Sequence, residues 1–81
     1  MKHTLAALRT SRRLTQRDVA KQLGISASAI ALYELGLRTP SLQRAKLIAQ
    51  FFGVPVEDIV FGPVVPGQSD DQATTLDATG T

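Results

Sequence analysis

The chain has 81 residues and a formal net charge of +2, which suffices for one small domain. It contains no cysteine and a single histidine, so the composition excludes disulfides, thiolate metal sites and a metal site built from histidines. No apolar run is long enough to span a membrane and the N-terminus lacks a secretory signal core, so we expect a soluble, cytoplasmic protein.

Charge is distributed unevenly along the chain. All nine basic residues lie between Lys2 and Lys46, so residues 1–62 carry nine bases and four acids, a net charge of +5. Residues 63–81 carry three aspartates and no base, a net charge of −3. A basic domain followed by an acidic segment fits a polyanion partner, although charge alone is a weak indicator.

The first predicted helix covers residues 2–13. Leu5 and Leu8 share one face of it, and neither glycine nor proline interrupts the segment. Arg12 and Arg13 end this helix, where cations complement the negative end of the helix dipole. The same two arginines precede the next helix, where a DNA backbone could run. A solvated helix end and a phosphate contact are both open interpretations for them.

Two short helices are predicted next, over residues 16–23 and 27–35. Thr15 is the expected N-cap of the former, with Asp18 in the capping-box position, and Ser26 is the expected N-cap of the latter. Gly24 can take the positive φ that closes the turn between them. Gln16, at the first helical position, lies beside free backbone N–H groups that suit a phosphate.

The spacing of small and apolar residues in this pair of helices predicts a helix-turn-helix, whose second helix enters the DNA major groove. Ala20 is small where the helices would cross, while Ile30 and Tyr33 face inward from the second helix. An ordinary helical hairpin also has a glycine turn and a few leucines. The joint spacing of these positions is more demanding and favours the helix-turn-helix.

The remaining predicted helices cover residues 42–52 and 56–61. Ser41 caps the former, Gly53 ends it, and Pro55 opens the latter. From residue 63 onward the sequence has two prolines, two glycines, many small polar residues, three acids and no base, which predicts a flexible, disordered acidic tail over 63–81. The predicted architecture is therefore all-α, a compact five-helix domain over 1–62 followed by that tail.

Three stretches resemble the phage repressor and Cro-like helix-turn-helix family, which is often called XRE-like. They are LRTSRRLTQRDVAKQLGIS, the I-x-x-Y-E-x-G-x-R-x-P run over 30–40, and LIAQFFGVPVEDIVF. The resemblance covers residues 5 to about 61. It implies a lambda-repressor-like bundle of about five helices that binds palindromic operators, as a homodimer, and represses or activates transcription.

The resemblance also implies roles for individual residues. Arg9 and Glu34 match a partly buried salt bridge that joins the first helix to the third. Ala27, Ser28, Ala31 and Leu32 match the groove-facing positions, while Gln16 and Arg38 match phosphate contacts. The full predicted DNA-binding set is Arg12, Arg13, Thr15, Gln16, Arg17, Ser26, Ala27, Ser28, Ala31, Leu32 and Arg38.

The groove-facing positions depart from the family pattern, because none of them carries a side chain that makes a bidentate contact with a base. Ala31 and Leu32 can touch thymine methyl groups, so recognition of A·T-rich or shape-dependent sites is one interpretation. The other is that this apolar surface, continued by Leu35 and Leu37, binds a protein partner.

The leading hypothesis from sequence is a dimeric DNA-binding transcriptional regulator of a bacterial or phage nucleoid. The alternatives are an antirepressor-like or antitoxin-like interaction module, and a weakly selective nucleoid protein. No catalytic constellation and no cofactor motif appears, so we expect no enzyme activity and no cofactor. The predicted dimer interface consists of Phe51, Phe52, Val56, Val60 and Phe61.

Overall fold

The computed structural model describes residues 1–63. It contains four α-helices, α1 (Leu5–Ser11), α2 (Gln16–Leu23), α3 (Ala27–Leu35) and α4 (Leu42–Phe52), followed by a 3₁₀-helix over Val56–Asp58. Two short strands complete it, β1 (His3–Thr4) and β2 (Ile59–Val60). Most of the predicted tail, from residue 64 onward, lies outside the described residues.

The bounds of α2, α3 and α4 match the predicted ones, because each helix carries its own start and stop signals. The hydroxyl oxygens of Thr15, Ser26 and Ser41 each accept a hydrogen bond from a backbone N–H in the first turn. Each helix ends at a glycine in the left-handed region, such as Gly24 with φ of 72°.

No helix among residues 1–63 is sufficiently long and apolar to cross a lipid bilayer.

The predicted first helix is too long at both ends. Thr4 caps α1, with its hydroxyl accepting from the Ala7 N–H at 3.0 Å, so the helix begins at Leu5 instead of residue 2. The helix ends at Ser11, and Arg13 then adopts a φ of 58°. A helix cannot continue through a residue in this left-handed conformation.

The predicted fifth helix is wrong beyond its first turn. Only Val56–Asp58 is helical, as a 3₁₀ turn, and Ile59 and Val60 form β2. This strand pairs in parallel with β1, with His3 opposite Ile59 and Thr4 opposite Val60. β-Branched residues favour a strand where a partner is present. That partner comes from the opposite end of the domain, so the local pattern did not reveal it.

The core contains apolar residues from α1 to α4 and from β2. The largest fully buried side chains are those of Leu5, Val19, Ile30, Ile48 and Phe52. Phe52 is 2% exposed, because it is the last residue on the inward stripe of α4, and its ring packs edge-on against Phe51. The prediction that Phe52 lies in a dimer interface is therefore corrected, since its side chain is part of the core.

The stability contributed by the capping box at α2 is expected to depend on pH. The Thr15 backbone N–H donates to the Asp18 carboxylate at 2.9 Å, and this hydrogen bond lowers the pKa of Asp18. A lowered folded-state pKa gives stabilisation that is present above the ordinary value of 3.8 and is lost as the pH falls through the folded-state value. We expect Asp18→Asn to unfold at a lower temperature than the wild type at pH 7, with the difference shrinking below about pH 4.

Thermal unfolding followed by circular dichroism between pH 2 and pH 7 measures this difference. Glu57→Gln, which neutralises another exposed acid, serves as the control. A difference between Asp18→Asn and the wild type that stays constant across this range would contradict the assigned role of the carboxylate.

Candidate nucleic-acid interface

Helices α2 and α3 pack on each other across a tight turn. The turn is closed by the Ile25 N–H, which donates to the Ala20 carbonyl at 3.0 Å, and by Gly24 in the left-handed region. Val19 and Ala20 on α2 are buried, as are Ile30 and Tyr33 on α3. These contacts bury one side of α3 and leave its other side outward.

The outer face of α3 consists of Ser28, Ala31, Leu32 and Leu35, at spacings of three, four and seven residues. Ser28 and Leu35 are exposed, with Leu35 at 61%, while Ala31 and Leu32 are half-buried. This face is almost entirely apolar. Leu37, in the loop that follows, is 72% exposed.

A polar network fixes the start of α2 against α3. The carboxylate of Glu34 accepts from Arg9 Nε at 2.6 Å, from Arg9 Nη2 at 3.1 Å and from Gln16 Nε2 at 3.0 Å. Arg9 Nη1 donates to the Leu14 carbonyl at 2.9 Å, which holds the loop between α1 and α2. The ion-paired side chains are only 16% and 8% exposed, and the hydrogen bond with Glu34 raises the pKa of Arg9.

This arrangement is that of a helix-turn-helix unit, and a model of the helix-turn-helix family matches residues 5–59. The chain belongs to the repressor and Cro-like branch of that family. The resemblance inferred from sequence is thereby confirmed.

Three relatives show the range of proteins that carry this unit. An uncharacterized HTH-type transcriptional regulator of Methanocaldococcus jannaschii, MJ0272, is 49% identical over 59 residues, which are 73% of this chain and 89% of that protein. The HTH-type transcriptional activator BcrR of Enterococcus faecalis is 38% identical over 72% of this chain, but that match spans 28% of the activator. The cryptic phage CTXphi transcriptional repressor RstR of Vibrio cholerae is 36% identical over 65% of this chain and 48% of the repressor. No solved structure matches the chain.

Within this helix-turn-helix unit, Gln16 has a second role that the sequence did not reveal. Its side-chain amide donates to Glu34, eighteen positions along the chain, so one amide hydrogen is already engaged. The second amide hydrogen and the backbone N–H groups of Gln16 and Arg17 are the donors left for an anion, since the Asp18 N–H donates to the Thr15 hydroxyl.

The side chain of Arg12 contacts the end of α4, a contact that the sequence did not indicate. Its guanidinium donates to the carbonyls of Phe51 and Phe52, at 3.2 and 2.6 Å, and lies 5.2 Å from the centre of the Phe52 ring. These carbonyls end α4, where a cation is favourable. The side chain therefore caps α4 and joins it to the loop after α1, and the phosphate contact of Arg12 stays a prediction.

We expect Arg12→Ala to lower the free energy of unfolding by about 1 kcal/mol, because α4 loses two charge-assisted hydrogen bonds at its end. DNA affinity, measured on the folded variant, should stay within about two-fold of the wild type. Urea denaturation and fluorescence anisotropy measure the two quantities. The matched variant is Arg13→Gly, which removes a neighbouring charge. Glycine readily adopts the φ of 58° found at this position. An Arg12→Ala variant that keeps full stability and loses DNA affinity would restore the original interpretation.

The other predicted DNA-binding residues divide into three groups. Arg13, Arg17 and Arg38 are exposed, and the Arg38 N–H bonds the Leu32 carbonyl at 3.4 Å, which places Arg38 at the end of α3. Thr15 and Ser26 use their hydroxyl oxygens as helix caps. Ala27 is half-buried against the core, so its side chain lies off the outer face of α3.

Two further contacts hold α3 in place, and sequence reasoning missed both. Arg44 Nη1 donates to the Tyr33 hydroxyl at 3.1 Å, which ties α4 to α3. The backbone of Gly62 crosses the end of α3 so closely that a Cβ at Gly36 would lie 3.3 Å from the Gly62 Cα. In the sequence Gly36 and Gly62 gave only turn signals, because their close approach joins positions 26 residues apart.

Proposed function

We propose that the chain is a DNA-binding transcription regulator that inserts α3 into the major groove. The observation that carries the proposal is the helix-turn-helix unit itself, in which α3 is buried on one side and presents its other side outward. Its relatives include one protein named an activator and another named a repressor, so the proposal covers regulation of either sign.

Phosphate contacts are proposed for the exposed cations around α3. Arg17 is next to Gln16, whose bond to Glu34 brings the start of α2 beside α3, and Arg38 follows the end of α3. Lys21 lies one turn after Arg17 on the exposed side of α2. Arg13 lies in the loop between α1 and α2, which Arg9 holds through its hydrogen bond to the Leu14 carbonyl. Cations of this kind supply affinity that depends on salt and not on sequence.

A homodimer would place two copies of α3 in successive major grooves, about one helical turn apart. The residues proposed for the dimer interface are now Phe51, Val56, Val60 and Phe61, all of which are half-buried. Phe61 also packs edge-on against Tyr33, at 6.2 Å between ring centres. Its contribution to an interface is therefore limited to the outer part of the ring.

We expect Arg38→Ala to weaken binding to all DNA sequences alike. Each phosphate contact contributes about 0.9 to the slope of log affinity against log salt concentration, so the slope should fall by about one unit. Fluorescence anisotropy of a labelled duplex at several salt concentrations measures the slope. Lys46→Ala, which removes an exposed cation from α4, is the matched control. Unchanged binding and slope in Arg38→Ala would contradict the docking of α3 proposed here.

The second candidate function is a protein-interaction module, such as an antirepressor or an antitoxin-like partner. The observation that favours it is the exposure of Leu35 and Leu37, which together with Leu32 form an apolar surface. A stable complex with a protein encoded beside this chain, combined with no DNA binding at low salt, would support this function over the first.

A further inference from the structure

The outer face of α3 offers almost no hydrogen-bonding group to a DNA base. Ala31, Leu32 and Leu35 have apolar side chains, and Ser28 contributes one hydroxyl. A hydroxyl bonds to several base edges without selecting one of them, and the bidentate pairings with guanine and adenine need longer polar side chains. Selection of particular bases by this face must therefore rest on apolar contact.

The major groove carries one apolar group, the C5-methyl group of thymine. On the basis of the proposed function, we propose that this chain selects its DNA through thymine methyl groups, which Ala31, Leu32 and Leu35 contact. Ala31 and Leu32 lie one turn after Ser28, within the part of α3 that would face base edges first. Leu35 extends the same apolar face by one further turn.

The charges around this face favour DNA over an apolar protein as its occupant. Arg17 and Arg38 are exposed close to α3, while Glu34, which is the only acid of α3, is neutralised by Arg9. An apolar strip with cations beside it matches a groove whose floor carries methyl groups and whose edges carry phosphates. These cations would add no affinity for a purely apolar protein surface.

The test uses a duplex that the full chain enriches from a random-sequence pool. The duplex is then prepared in two forms, with thymine and with uracil, which differ by the methyl group alone. Removing one methyl group from contact is expected to weaken binding by about four-fold, so two contacts give about fifteen-fold.

Three results would overturn the inference. Equal affinity for the two forms would show that no methyl group is contacted, and the proposed function would remain possible. If the chain binds DNA in a salt-dependent way but enriches no sequence from the pool, this face does not select bases. Absence of binding to any duplex at low salt overturns the proposed function and this inference together.

Single replacements of thymine by uracil separate methyl contact from a change in DNA stiffness. Methyl contact predicts an effect at a few adjacent positions in each half-site, whereas an effect spread evenly over the duplex would contradict it. The Leu32→Ala/Leu35→Ala variant is expected to lower the thymine-to-uracil affinity ratio to the share that Ala31 contributes. Leu37→Ala, which shortens an exposed leucine beyond α3, should retain the full ratio.

Circular dichroism establishes whether the double variant is folded. If it is unfolded, Leu35→Ala takes its place, because a side chain that is 61% exposed contributes little to the core. Leu35→Ala is expected to lose part of the ratio. A folded variant that keeps the whole ratio would show that these leucines do not read the methyl groups.

Discussion

Ser28→Glu is expected to weaken DNA binding by about 100-fold or more while the fold remains intact. Ser28 is exposed on the outer face of α3, so a glutamate there would place a carboxylate in the groove between two phosphate backbones. Like charges brought together at an interface cost several kcal/mol. The same carboxylate lies in the first turn of α3, where the helix dipole favours an acid by about 0.3–1 kcal/mol. Stability should therefore stay constant or rise.

Anisotropy titration and thermal unfolding of the same preparation measure the two effects. Ser28→Gln has a side chain of similar size and no charge, so it separates repulsion from bulk. Gln50→Glu makes the same change in net charge on α4. Loss of binding in Ser28→Glu alone would support groove insertion of α3. Equal losses in Ser28→Glu and Gln50→Glu would instead show a response to net charge only.

Glu34→Ala is expected to have the largest effect on stability, about 3 kcal/mol, because it leaves the partly buried guanidinium of Arg9 without its carboxylate partner. It also removes the acceptor of the Gln16 amide, so α2 loses its link to α3. A domain of about 60 residues has a total stability of only about 3–9 kcal/mol. We therefore expect the variant to lose about a third or more of this stability, seen as a lowered melting temperature and a lowered urea midpoint.

The matched variants distinguish the charge from the shape of this network. Glu34→Gln retains a side chain of the same length and should lose less than Glu34→Ala. The double variant Arg9→Met/Glu34→Leu removes both charges together and should recover most of the stability, since no unpaired charge stays buried. A Glu34→Ala variant that loses less than about 1 kcal/mol would show that the network contributes little.

The central helices could be predicted from the sequence because their signals are local. A hydroxyl at each start and a glycine at each end bound α2, α3 and α4, and α2 and α4 also carry an apolar stripe. The two ends of the domain were predicted less well. β1 and β2 stabilise each other by pairing residues 56 positions apart, and no periodicity within either segment signals that pairing.

The same distinction applies to the site. The Arg9–Glu34 pair and the groove-facing residues of α3 were both expected from the family resemblance, although Ala27 packs against the core instead. The sequence did not reveal that Arg12 caps α4 or that Gln16 bonds Glu34, because each contact depends on how the helices pack.

Binding of DNA through α3 is the proposal on which the other predictions depend. Fluorescence anisotropy of labelled duplexes, including the DNA that flanks its own gene, tests it most directly when repeated at several salt concentrations. We expect binding that weakens steeply with salt and is tighter on the flanking DNA than on random duplex. Absence of binding even at low salt would contradict it and would indicate that the apolar face of α3 binds a protein.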